Sequence, residues 1–101
     1  MTYRVRFTRE AEADLVRLYE FILERVETDL DVAERALDAI RHAITGLERS
    51  PFSYRKAAES PFLRELVIPF GASGYVALFE IEDERTVTVL ALRHQREDDY
   101  Y

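Results

Sequence analysis

Apolar residues recur along this chain with two different periods, and the switch between them divides it. Tyr3, Val5 and Phe7 alternate with Arg4 and Arg6, the period of two that a half-buried strand requires. Arginines on the other face protect such a strand at a sheet edge. Thr8 stands where a helix N-cap belongs, and Glu10 and Glu12 follow in the first turn, where acids favour the helix dipole. Ala11, Leu15, Leu18, Tyr19, Ile22 and Val26 then fall at helical spacing, which predicts a helix to about Arg25. Glu27-Thr28-Asp29 breaks it, with Asp29 placed to cap a second helix. Leu30, Ala33, Leu37, Ile40, Ile44 and Leu47 step 3, 4, 3, 4, 3, the cleanest period in the chain. So short a join makes the two helices an antiparallel hairpin.

Ser50-Pro51 closes the helical part. Residues 52–61 have proline near both ends and no period, so they read as a connector. Three β-rich runs follow: Leu63 to Pro69, Gly74 to Ile81 and Thr86 to His94. Pro69-Phe70-Gly71-Ala72-Ser73-Gly74 turns between the first two, and Asp83-Glu84 sits at the tip of the next hairpin. Tyr75, Ala77, Phe79 and Ile81 share one face, with Val76 and Leu78 on the other, which marks a central strand. The order β-α-α-β-β-β predicts a single α+β domain over residues 1–101, a helical hairpin packed on a small antiparallel sheet. The sheet face away from the helices is then free to work.

Composition agrees with one core, since the chain has 101 residues, 48% of them hydrophobic. The absence of cysteine removes disulfides and thiolate chemistry. The start, Met1-Thr2-Tyr3-Arg4-Val5-Arg6, is charged and alternating, unlike a signal peptide. No apolar run approaches the roughly 18 residues of a membrane span, so a soluble cytoplasmic protein without membrane contact is expected. The formal net charge of −6 opposes generic nucleic-acid binding. Residues 11–50 carry ten acids against five arginines, so the helical half holds most of the excess. Lys56 is the single lysine among fourteen basic residues, and arginine's planar fork favours specific contacts with carboxylate or phosphate.

Few side chains here can do chemistry. His94, between Arg93 and Arg96, is either a general acid or base in a positive field or a strand-end group bonded to backbone. His42 lies mid-helix, and two histidines so far apart make no metal site. Arg64 shares the parity of Leu66 and Ile68, and Arg93 that of Val87, Val89 and Ala91. Each is directed at a partner or tied up in a salt bridge. Tyr54-Arg55-Lys56 is a partner-binding candidate or a solvated loop. Tyr100 and Tyr101 either donate a proton, anchor a partner or fray with the terminus. No phosphate loop, nucleophile elbow or zinc-protease motif is present, and no cofactor is expected.

Leu63-Arg64-Glu65-Leu66, the strand from Tyr75 to Ile81 and the close Leu92-Arg93-His94-Gln95-Arg96 follow two helices in this order. The whole, from Tyr3 to about Arg96, resembles the RelE/ParE superfamily, the toxin halves of bacterial type II toxin–antitoxin modules, and within it the ParE-like, plasmid-stabilisation type. The resemblance implies a growth-inhibiting toxin held by a cognate antitoxin in a hetero-oligomer, with DNA contacted only through the antitoxin. RelE-like members cleave messenger RNA on the ribosome; ParE-like members poison DNA gyrase. For a ribonuclease, the resemblance assigns Arg64, Arg93, His94 and Tyr100 to catalysis, with Lys56 assisting. For recognition of a partner it points to Arg93, His94, Arg96, Tyr54 and Lys56. The chain departs from the ribonuclease pattern: it has one lysine, and its middle strand carries no arginine. Gyrase is the favoured target, with a non-toxic binding module as a third reading. In each case the last strand is expected to present Arg93 and His94 together.

Overall fold

Thr8 caps the first helix, as its place in the sequence predicts, and also joins the two halves of the molecule, which the sequence does not predict. Its Oγ1 accepts the Ala11 N–H at 3.0 Å, capping the first helix, and donates to the Leu90 carbonyl of the last strand at 3.3 Å. The computed structural model describes residues 2–26, 30–70 and 73–95. Strand β1 is Arg4–Phe7, helix α1 Arg9–Val26 and helix α2 Leu30–Gly46. A short 3-10 turn, Pro51–Ser53, leads to β2 at Arg55–Lys56, β3 at Leu63–Phe70, β4 at Ser73–Ile81 and β5 at Thr86–His94. Asp29, the expected cap of α2, lies outside the described residues.

The five strands form one sheet in the order β1-β5-β4-β3-β2, which puts β4 at the centre as its two apolar faces require. Strands β2 to β5 run as an antiparallel meander. The fifth strand, β2, comes from the stretch read as a plain connector; two residues are too few to show a period. β1 pairs with β5 in parallel, from Arg4 beside Thr86 to Phe7 beside Val89. The two-helix hairpin supplies the crossover that a parallel return needs.

The helices cover one face of the sheet. Leu18 and Ile22 from α1 and Ala33, Ala36 and Ile40 from α2 meet Leu66, Ile68, Phe79, Val87, Val89 and Leu92 in one buried cluster. Two positions depart from the periodic reading: Tyr19 stays 37% exposed on the outside of α1, and Ala36 rather than Leu37 lies deepest on α2. Two glycines make close approaches possible. A Cβ on Gly46 would meet the Tyr54 hydroxyl, and one on Gly74 would collide with the Ile68 carbonyl across the β3–β4 turn.

Because one hydroxyl serves both the α1 cap and the β5 backbone, Thr8→Ala should cost about 1–2 kcal/mol. Thr8→Ser should restore most of it. Urea unfolding would show this as a lower midpoint at unchanged slope.

Candidate functional site

The second half of β5 carries the residues that the sequence singles out, and a β-bulge decides where they point. Leu78 of β4 pairs with Ala91, but the next residue, Phe79, pairs with Val89, leaving Leu90 as an extra residue on β5. Up to Val89 the odd-numbered residues of β5 face the helices, since Val87 and Val89 lie opposite Ile81 and Phe79. After Leu90 the even-numbered ones do, since Leu92 and His94 lie opposite Ala77 and Tyr75. Arg93 therefore does not share a face with Val87 and Val89, as a simple alternation predicts. It lies opposite Val76 on the open face. Arg93 and His94 leave the strand on opposite sides, so the expectation that they act from one surface is corrected.

A second feature fixes this stretch. β1 stops at Phe7, while β5 continues with one edge bare. Helix α1 fills the place of the missing strand. Asp14 Oδ2 accepts the Leu92 N–H at 3.0 Å, and an Arg17 guanidinium N–H reaches the Leu92 carbonyl at 3.4 Å. Thr8 takes the Leu90 carbonyl in the same way. Asp14 and Arg17 escape sequence reading because an acid and an arginine three apart on a helix look like a solvated ion pair. Only the packing of α1 along β5 gives them backbone partners.

His94 is half-buried on the helix side. Its ring stands edge-on to Tyr75 at 5.6 Å between centroids and tilted against Phe21 at 6.1 Å, and Tyr75 in turn meets Phe70 at 6.3 Å. The row of four rings runs from the β3–β4 turn to α1. Burial raises the Tyr75 hydroxyl above the ordinary tyrosine range. Arg93 is half-buried too, and its Nε is shielded from solvent.

Of the other candidates, Arg64 and Tyr54 are drawn into the scaffold. Arg64 does share the face of Leu66 and Ile68, lying opposite Phe79, but its guanidinium donates to the carbonyls of Pro61, Phe52 and Tyr54 at 2.7–3.1 Å. It also sits 5.1 Å from the centre of the Phe52 ring, so it ties the connector to the sheet. Tyr54 turns inward and packs edge-on against Phe79 at 6.0 Å. Lys56 is exposed on the edge strand β2, in register with Arg64. Its neighbour Arg55 pairs with Glu65 at 2.9 Å across the open face. Arg96 and Tyr100 lie outside the described residues. Among the described residues no cluster of histidines and carboxylates could hold a metal ion, and no helix is long and apolar enough to cross a membrane.

The profile of the ParE toxin of type II toxin–antitoxin systems, parDE, matches residues 5–99. The chain belongs to the ParE toxin family. Comparison with curated protein sequences finds no match. Among solved structures, the chain is similar to one from the chromosomal ParDE toxin–antitoxin system of P. aeruginosa, with a TM-score of 0.72 and 20% identity. That alignment covers 92% of this chain and 96% of the other. It is also similar to a chain of the toxin–antitoxin complex RelBE2 from Mycobacterium tuberculosis, with a TM-score of 0.56 and 27% identity. There 93% of this chain and 99% of the other are covered. The fold is that of a RelE/ParE toxin, and the molecule is a ParE-type toxin of a type II system.

Two outcomes test this ParE-type toxin's site. Asp14→Ala leaves the Leu92 N–H without its acceptor and should lower stability by about 1–3 kcal/mol in denaturant unfolding. Tyr75 has a raised folded-state pKa, so its contribution is present below the unfolded tyrosine value of about 10 and is lost as pH rises through the folded one. Above pH ~10 the urea midpoint of Tyr75→Phe should therefore fall less steeply than that of the unaltered chain.

Proposed function

We propose that this toxin acts by poisoning DNA gyrase and that a cognate antitoxin neutralises it. The observation that carries the choice of target is the make-up of the open sheet face. Across its strands stand Arg4 and Arg6, Thr86 and Thr88, Ala91 and Arg93, Val76, Leu78, Glu80, Leu63, Glu65, Val67 and Arg55, by strand register. Among these described positions there is no histidine, tyrosine or lysine. A ribonuclease needs groups that move a proton to and from the reacting oxygens. Here His94 and Tyr75 are packed in the ring row on the other face, and Arg64 is committed to three carbonyls. What the open face offers is a recognition surface: the partly exposed Leu63, Val67 and Leu78, with the half-buried Arg93 on the next strand. Such a surface suits a protein target.

The antitoxin has a separate place to bind. Val16 and Tyr19 lie one turn apart on α1, 59% and 37% exposed, and Phe21 is exposed beside His94. An amphipathic segment laid along the Val16 and Tyr19 side of α1 would cover these two and stabilise a small toxin by mass action, while Phe21, on the other flank of the helix, stays with His94. The RelBE2 structure to which the chain is similar is itself a toxin–antitoxin complex. Operator DNA would be reached through the antitoxin.

In a supercoiling assay the purified chain should accumulate cleaved DNA with gyrase; undiminished supercoiling at saturating toxin would refute the target. Arg93→Met keeps the aliphatic stem and removes the charge, so it should weaken cleavage and growth arrest about tenfold or more with little change in Tm. His94→Phe keeps the ring packing and should leave arrest intact. Loss of arrest with His94→Phe, together with new mRNA ends on translating ribosomes, would establish the ribonuclease instead. No arrest by the unaltered chain would leave the binding module.

A further inference from the structure

The end of the open face near the β4–β5 turn carries charge in an ordered pattern. Arg4 of β1 lies beside Thr86 of β5, and beyond Thr86 the chain pairs with Glu82, whose N–H bonds the Thr86 carbonyl. One step along, Arg6 lies beside Thr88, and Thr88 beside Glu80. Two rows thus read Arg-Thr-Glu across three strands. The arginines form one column, the buried threonines the middle column and the glutamates the third. The outer four are exposed. Among the described residues no helix lies on this face.

These charges are not spent on one another. Among the described residues Arg4, Arg6 and Glu80 make no ion pair, and Glu82 accepts only the Thr88 hydroxyl. Neighbouring strands stand about 4.8 Å apart, so arginine and glutamate columns are separated by roughly 10 Å at the backbone. Asp83, the acid that feels the Arg4 charge, is already used. Its carboxylate accepts the Arg85 N–H at 2.7 Å, and that bond, with further ones from Thr86 and the Arg4 charge, holds it below the ordinary carboxylate range.

Such a surface discriminates between partners. A polyanion drawn to the arginine column meets glutamates beside it, and a polycation meets the reverse. The surface that answers both columns at once carries the same two columns in opposite order. A second copy of this chain presents that order when it is turned about a two-fold axis parallel to the strands and running along the threonine column. Arg4 then faces Glu82 of the second copy, and Arg6 faces its Glu80. The symmetry doubles each contact, giving four pairs around the small threonine centre. Facing sheets pack about 10 Å apart, a gap that an arginine and a glutamate side chain close between them. We propose that this end of the open sheet face is a self-complementary surface on which two copies of the chain associate through Arg4, Arg6, Glu80 and Glu82.

The proposal rests on Arg4, Arg6, Glu80 and Glu82 and not on Arg93. Because the axis runs along β5, the second copy also covers the Arg93 end, so self-association and a gyrase contact through this face exclude one another. The test of the proposal is sedimentation of the full-length chain from micromolar to near-millimolar concentration at ~0.15 M salt, where long-range repulsion between the acidic copies is screened. The unaltered chain should move from its monomer mass of 11.9 kDa to twice that. Arg6→Glu alone and Glu80→Arg alone should each weaken association by about tenfold or more, because like charges then face each other twice. The double variant Arg6→Glu/Glu80→Arg should recover it, which separates a charge effect from misfolding. A chain that stays monomeric throughout would overturn the proposal. So would a dimer indifferent to the single reversals, or a double variant that fails to recover while keeping its far-UV circular dichroism.

Discussion

β5 outlasts its neighbour. Beyond Phe7 its backbone groups need partners, because an unsatisfied amide under a helix layer costs about 1–3 kcal/mol. α1 supplies them from Thr8, Asp14 and Arg17, and in doing so is held along the edge of the strand. The strand is therefore bounded by β4 on one side and by a strand followed by a helix on the other. The extra residue Leu90 lies at the changeover, where the ladder with β1 ends. From this one constraint follow the seat of α1, the change of parity along β5 and the separation of Arg93 from His94.

That separation organises the molecule's two sides. On the helix side His94 completes an aromatic row with Tyr75 and Phe21 at the end of the core. On the open side Arg93 lies in register with Val76 of the central strand β4. The acidic overall charge opposes a nucleic-acid partner more than a protein one.

Most of the architecture was legible because its periods are strong. α2 follows from six apolar residues at alternating steps of three and four, β1 from three residues alternating with arginines, and the α1 start from a single threonine. β2 was not, since two exposed residues leave no period and depend on β3 for their existence. The site was less legible than the fold. Val89-Leu90-Ala91-Leu92 is apolar throughout, so a bulge within it leaves no trace in the alternation, and the face of every later residue is misread by one. Arg64 was correctly placed on the inner face, but its carbonyl partners come from a connector whose path no spacing reveals. Tyr54 looked like part of a basic-aromatic loop, and its inward turn depends on the room left by Gly46.

The direct test is a set of proton–proton contacts measured by nuclear Overhauser spectroscopy on the isotopically labelled chain. The His94 ring protons should show contacts to both the Tyr75 and Phe21 rings, and the Arg93 side chain should show them to Val76 and to neither ring. Contacts from Arg93 to Phe21 or Tyr75, with His94 free of them, would mean an unbulged β5 and would contradict the account.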